Sequence, residues 1–115
     1  MANDCLFCKI GKGEVPGDVT DHDEKVLALR DINPRAPVHL LVMPFEHIES
    51  VQGIIEANAD LMGRMVLMAN KMAAQEGIDK RGYRLVINCG EEGGQLVGHL
   101  HMHVLGGRTL SGQMG

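Results

Sequence analysis

The 115-residue chain has no tryptophan, and its only large rings besides histidine are Phe7, Phe45 and Tyr83, so aromatic residues make up 3% of it. Leucine, valine, isoleucine and eight methionines must therefore fill the core. Methionine adapts to irregular gaps, so this richness speaks to packing and not to function. An excess of positive charge is also missing: 11 Lys and Arg stand against 15 Asp and Glu, a formal net charge of −4. That balance argues against a nucleic-acid-binding role, which needs a basic face. It leaves room for a mononucleotide, because a single phosphate needs only local donors. No apolar run approaches the roughly 20 residues of a membrane span, and MANDCLFCKI lacks the basic and apolar regions of a signal peptide. The expectation is a cytoplasmic protein with no membrane partner. Thiols stay reduced in that compartment, so Cys5, Cys8 and Cys89 are not expected to form a disulfide framework.

What remains is the composition of an ordinary globular domain, 44% hydrophobic and 23% charged, expected to form one unit over 1–115. Residues 5–11 read as a short helix ended by Gly11 and Gly13, followed by turn chemistry at Val15-Pro16-Gly17-Asp18 and a weak edge strand near Val19–His22. Strands are expected over 25–30 and 38–43, separated by the rigid loop Asn33-Pro34-Arg35-Ala36-Pro37 and stopped by Pro44. Ser50 is placed to cap a short helix through Ile55. From about residue 58 or 60, Leu61, Met62, Met65, Met68, Ala69, Met72 and Ala73 fall at helical spacing, and Gly77 suits the C′ position. Strands over 83–88 and 99–105 flank a Gly-rich loop at 90–98. Five short strands with one main helix and a short N-terminal one predict an α+β fold with a largely antiparallel sheet.

The chemistry concentrates in His99-Leu100-His101-Met102-His103-Val104-Leu105, which holds half of the six histidines. Alternation of period two places His99, His101 and His103 on one strand face and Leu100, Met102 and Val104 on the other. A neutral imidazole can attack phosphorus and carry a phosphoryl group covalently, provided that its other nitrogen is hydrogen-bonded. Gly90-Glu91-Glu92-Gly93-Gly94-Gln95 stands directly before the strand, where backbone N–H groups can approach phosphate oxygens. Three histidines at this spacing are also good ligands for a catalytic zinc with an open fourth position, an alternative that the Gly-Gly-Gln loop and the Asp31 segment disfavour. A nucleotide-sensing or protein-binding module with incidental turnover is a further alternative.

His-φ-His-φ-His-φ-φ, with φ hydrophobic, resembles the motif that defines the histidine-triad (HIT) superfamily. Asp31-Ile32-Asn33-Pro34-Arg35-Ala36-Pro37-Val38-His39 is similar to another segment of that family, Gly93-Gly94-Gln95 to its phosphate loop, and Leu105-Gly106-Gly107-Arg108 to the ending of the Hint branch. The resemblance implies a HIT-like fold and a hydrolase that cleaves purine nucleoside phosphoramidates to a nucleoside monophosphate. It implies His101 as nucleophile, His103 on the phosphate oxygens and His39 as support. It places Asp31 on the ribose, and Leu6, Phe7, Ile10, Leu29 and Ile32 around the base. Asn88, Gly94 and Gln95 fall near the α-phosphate. No cofactor is required for the chemistry, and a homodimer with a ten-stranded sheet is implied. Cys5 and Cys8 have the spacing of a zinc knuckle, and some bacterial relatives pair such a C-x-x-C with residues matching His47 and His99, which implies a structural zinc. Two departures stand out. Leu96 occupies a position where many Hint proteins have serine, and the tail 109–115 lacks an aromatic. Glu91 and Glu92 beside the loop could favour a cationic leaving group.

Overall fold

The computed structural model describes residues 5–114, so residues 1–4 and 115 of the expected domain lie outside the described residues. Cys5 caps the first helix, α1 (Leu6–Gly11), its Sγ accepting from the Cys8 N–H at 3.4 Å. Strands β1 (Val19–His22) and β2 (Val26–Arg30) meet at a turn closed by Asp23, whose Oδ1 accepts from the N–H groups of Lys25 and Val26 at 2.7 and 2.8 Å. A short polar side chain bonding its own downstream backbone is what turns of this kind require. β3 (Val38–Pro44) follows the rigid loop. Two 3₁₀ turns, Val51–Gly53 and Glu56–Asn58, stand where one short helix was expected, the first capped by Ser50. The main helix α2 (Asp60–Gln75) ends before Gly77, whose φ of +77° is the left-handed value that favours glycine there. β4 (Tyr83–Val86) and β5 (Met102–Gly106) complete a five-stranded sheet in the order β1-β2-β3-β5-β4, every pair antiparallel.

Each face of this sheet has its own apolar layer. Met65, Met68, Ala69, Met72 and Ala73, the stripe read from helical spacing, pack on Val26, Ala28, Leu40, Val42, Leu100, Met102 and Val104. The alternate residues Leu27, Leu29, Leu41 and Met43 point the other way and are covered by Phe7 of α1. Burial on both faces is why β2 and β3 read as continuous apolar runs and not as alternating ones. Among the described residues no helix is long and apolar enough to cross a membrane.

Two strand boundaries correct the expectation. The last strand begins at Met102 and not at His99, and β4 stops at Val86 and not at Asn88. Pro44 is the physical cause of the first. It ends β3, has no N–H to offer, and turns its carbonyl to the His99 side chain, while the Leu100 N–H goes to Ile48 O at 2.6 Å. β5 therefore finds β3 partners only from Val42↔Met102 onward. The β4 ladder ends at Val86↔His103. The alternation of faces survives outside the ladder, because Leu100 still joins the helix-side core.

Candidate active site and metal centre

β3 and β5 bring His39 and His103 together, and the residues just before β5 add His101. His39 and His101 are buried at 6% and 7% exposure, and His103 is half-buried. Backbone groups decide which nitrogen of each ring carries a proton. The Arg35 N–H donates to His39 Nδ1 at 3.0 Å, so the proton of His39 sits on Nε2. Nε2–H in turn donates to His103 Nδ1 at 2.9 Å, which leaves the His103 proton on Nε2. His101 is the reverse: Nδ1–H donates to the His99 carbonyl at 2.8 Å, so its Nε2 carries a free lone pair. The rings of His101 and His103 lie 5.1 Å apart. The site thus presents one nucleophilic nitrogen beside one N–H donor.

Burial favours the neutral forms of His39 and His103. Burial, with His101 and His39 nearby, pushes the His103 pKa down to about 4. Burial also lowers that of His39, against the opposing pull of Asp31. Asp31 Oδ2 is 3.4 Å from His39 Nε2, and its Oδ1 accepts from the Asn33 N–H at 2.8 Å.

The Gly-rich loop is built to stay in place. Asn88 Nδ2 donates to Gly93 O at 2.8 Å, and Gln95 Oε1 accepts from the Gly90 N–H at 2.9 Å while its Nε2 donates to the carbonyls of Glu49 and Val97. The Gln95 side chain is therefore engaged in holding the loop. A Cβ on Gly93 would stand 2.2 Å from Cys89 O, and Gly94 has a φ of +81°, so the turn requires both glycines. Leu96 is 90% exposed and, with Glu91, borders a cavity beside this loop. Of the apolar residues expected around a base, Phe7 and Leu29 are buried together and Ile10 packs against them, whereas Leu6 and Ile32 are 46% and 87% exposed.

His99 does not converge with His101 and His103, so a zinc shared by the three histidines is not what the structure holds ready. Its Nε2–H donates to Pro44 O at 2.8 Å, which turns the Nδ1 lone pair to Cys5 Sγ at 3.2 Å and Cys8 Sγ at 3.6 Å. His47 Nδ1 reaches Cys8 Sγ at 3.3 Å, and one ligand atom from each of Cys5, Cys8, His47 and His99 lies within 4.8 Å of the others. Burial and the hydrogen bond with Cys5 push the Cys8 thiol up. Asp31, His39 and His103 also lie within 4.8 Å of one another, a closeness their hydrogen bonds already explain. Reading side chains alone missed the main-chain groups of Arg35, Pro44 and His99; no residue-type signal marks a carbonyl or an N–H.

Comparison with known proteins places this geometry in context. Residues 12–110 match the family described as HIT domain. The chain is 46% identical over 110 residues to a purine nucleoside phosphoramidase of Escherichia coli strain K12, covering 96% of this chain and 92% of that protein. A HIT family hydrolase from Clostridium thermocellum superposes with a TM-score of 0.96 at 46% identity, covering 99% of each chain. One from Legionella pneumophila does so at 0.94 and 44%, covering 97% of this chain and all of the other.

Proposed function

We propose, from the premise that this chain belongs to the HIT family, that it is a purine nucleoside phosphoramidase working through a nucleotidyl-histidine. The observation that carries this reading is the pair of opposite tautomers at His101 and His103. His101 Nε2 attacks the α-phosphorus, the P–N bond breaks and the leaving nitrogen takes a proton from solvent to depart as the amine; water then attacks the same phosphorus, breaks the N–P bond to His101 and returns a proton to solvent, releasing nucleoside monophosphate and restoring His101. One water is consumed for each bond cleaved. His103 Nε2–H and the backbone of the Gly93-Gly94 turn donate to the non-bridging oxygens, where charge develops. His39 holds the His103 tautomer. Asp31 accepts from the ribose hydroxyls, and Asn88 and Gln95 keep the phosphate loop in shape. Phe7, Ile10 and Leu29 form the floor of an apolar base slot whose exposed walls are Leu6 and Ile32. No cofactor enters the reaction.

The second cluster is read as a structural zinc site. Zinc held at ~2.3 Å from sulfur and ~2.0–2.1 Å from nitrogen sets neighbouring ligands about 3.5 Å apart, and the Nδ1···Sγ separations of 3.2, 3.3 and 3.6 Å fit that. The His99–Pro44 hydrogen bond supplies the outer-shell partner that metal-bound imidazoles normally have. When bound, the ion contributes to folding and fastens α1 to the sheet.

A cytoplasmic homodimer completes the reading. β1 carries an irregularity between Val19 and Asp21, a device that protects an edge, whereas β4 is regular and open. Pairing of two β4 edges would give a ten-stranded sheet.

The test is turnover of a fluorogenic adenosine phosphoramidate by wild type and His101→Asn. We expect loss of activity by about a thousandfold or more with AMP affinity within about threefold. Retained turnover in metal-free His101→Asn would overturn the assignment.

A further inference from the structure

Arg108 has no part in the proposed reaction, yet its side chain reaches the loop on which the tautomers of His39 and His103 depend. That loop, residues 32–37, has little else to hold it. Pro34 and Pro37 have no N–H to offer. Among the described residues, no main-chain group of 32–37 pairs with another main-chain group. Ile32, Asn33, Pro34 and Arg35 are exposed, so apolar packing contributes little there. A segment with few buried contacts and no ladder opens easily. The Arg35 N–H must nevertheless stay at 3.0 Å from His39 Nδ1 for the proton of His39 to remain on Nε2.

The loop is fastened at three points, two of them by the turn that follows β5. At its start, Asp31 Oδ1 accepts from the Asn33 N–H at 2.8 Å. At its end, the chain packs so closely that a Cβ on Gly107, whose φ is +94°, would stand 2.9 Å from Pro37 Cβ. Between these, Arg108 Nη2 donates to Arg35 O at 3.0 Å while Nη1 donates to Thr109 O at 3.1 Å. Two carbonyls on one planar guanidinium fix its orientation, and a charged donor makes the stronger kind of hydrogen bond. The carbonyl and the N–H of Arg35 flank one Cα, so anchoring the first directs the second.

We propose that Arg108 is a positioning residue for the histidine site, holding the Arg35 main chain so that the proton order of His39 and His103 is kept. Its consequence for catalysis rests on the phosphoramidase reading. Without the anchor the Arg35 N–H drifts, and His39 is free to carry its proton on Nδ1. His39 Nε2 then accepts, so His103 donates from Nδ1 and turns the lone pair of Nε2 to the phosphate oxygens. Each ring stays neutral and each proton only changes nitrogen. The donor that meets the developing charge is lost.

The test is nitrogen NMR of the full chain with isotope-labelled histidine rings at neutral pH, free of substrate, together with phosphoramidate turnover. Wild type should show Nε2–H at His39 and His103 and Nδ1–H at His101. Arg108→Met removes the donors and keeps the apolar stem. In it the Nδ1 and Nε2 signals of His39 and His103 should move toward each other as the second tautomer mixes in. His101, fixed by the His99 carbonyl on another segment, should keep its pattern. We expect kcat to fall about fivefold with KM within about twofold. Arg108→Lys keeps a cationic donor for the Arg35 carbonyl and should stand between wild type and Arg108→Met. Thermal melts confirm the fold, and Arg108→Gln carries the same test should the methionine variant not fold. Unchanged His39 and His103 signals in a folded variant, or an equal disturbance at His101, would overturn the proposal. If wild type turns over no phosphoramidate, the phosphoramidase reading falls while the ring signals still decide this one.

Discussion

Acidification should weaken this fold through His103 in particular. Its pKa of about 4 against an ordinary 6.5 means that the folded protein resists a proton that the unfolded chain accepts readily. Between pH 6.5 and about 4 the unfolded state therefore binds more protons, and stability must fall as pH falls across that window. Below it both states are protonated and the loss is complete. The full depression corresponds to at most about 3 kcal/mol, and water reaching the half-buried ring reduces this to about 1–2 kcal/mol. Urea denaturation of wild type and His103→Asn at about pH 7 and about pH 4.5 isolates the contribution, since the remaining ionisable groups are common to both proteins. Wild type should lose about 1–2 kcal/mol more than the variant over that interval. Parallel losses would show that burial beside His101 and His39 does not hold His103 neutral.

Cys5→Ser with Cys8→Ser should abolish copurified zinc by elemental analysis. It should also lower stability by about 3 kcal/mol where free metal exceeds Kd about a hundredfold; a wild-type content under about 0.2 zinc per chain would remove the metal from the account. Met72→Ala empties a fully buried position under the sheet, where Met72 Sδ also accepts from the Thr20 hydroxyl at 3.3 Å, and should cost about 2–5 kcal/mol in urea titration without changing AMP affinity. Light scattering should give twice the 12.5 kDa chain mass at micromolar concentration, and a charge at the β4 edge, Leu85→Lys, should shift it toward the monomer.

Much of this was legible because local periodicity and global packing agree. The helical stripe from Leu61 to Ala73 and the period-two histidines each have a single way to bury their apolar residues, and both faces came out as read. What escaped depends on main-chain groups. The start of β5 is set by Pro44 in a different strand, whose missing N–H and turned carbonyl leave Leu100 to pair with Ile48. The roles within the triad rest on the Arg35 N–H and the His99 carbonyl, which every residue possesses and no motif displays.

His99 shows why a row of like residues need not share a task. Its ring faces the two thiols through Nδ1 and Pro44 through Nε2, so both nitrogens are engaged away from His101. Its carbonyl, by contrast, accepts the His101 Nδ1–H, and that bond leaves the His101 Nε2 lone pair free. Phe7, set between Cys5 and Cys8 on α1, packs edge-on against both rings, with centroids 5.8 Å from His99 and 5.2 Å from His101. The segment that carries the thiols is therefore the segment that walls the proposed nucleophile. A histidine in the first position serves the reaction through its backbone and the fold through its ring, which is why alternation alone could place all three imidazoles on one face and still not make them one site.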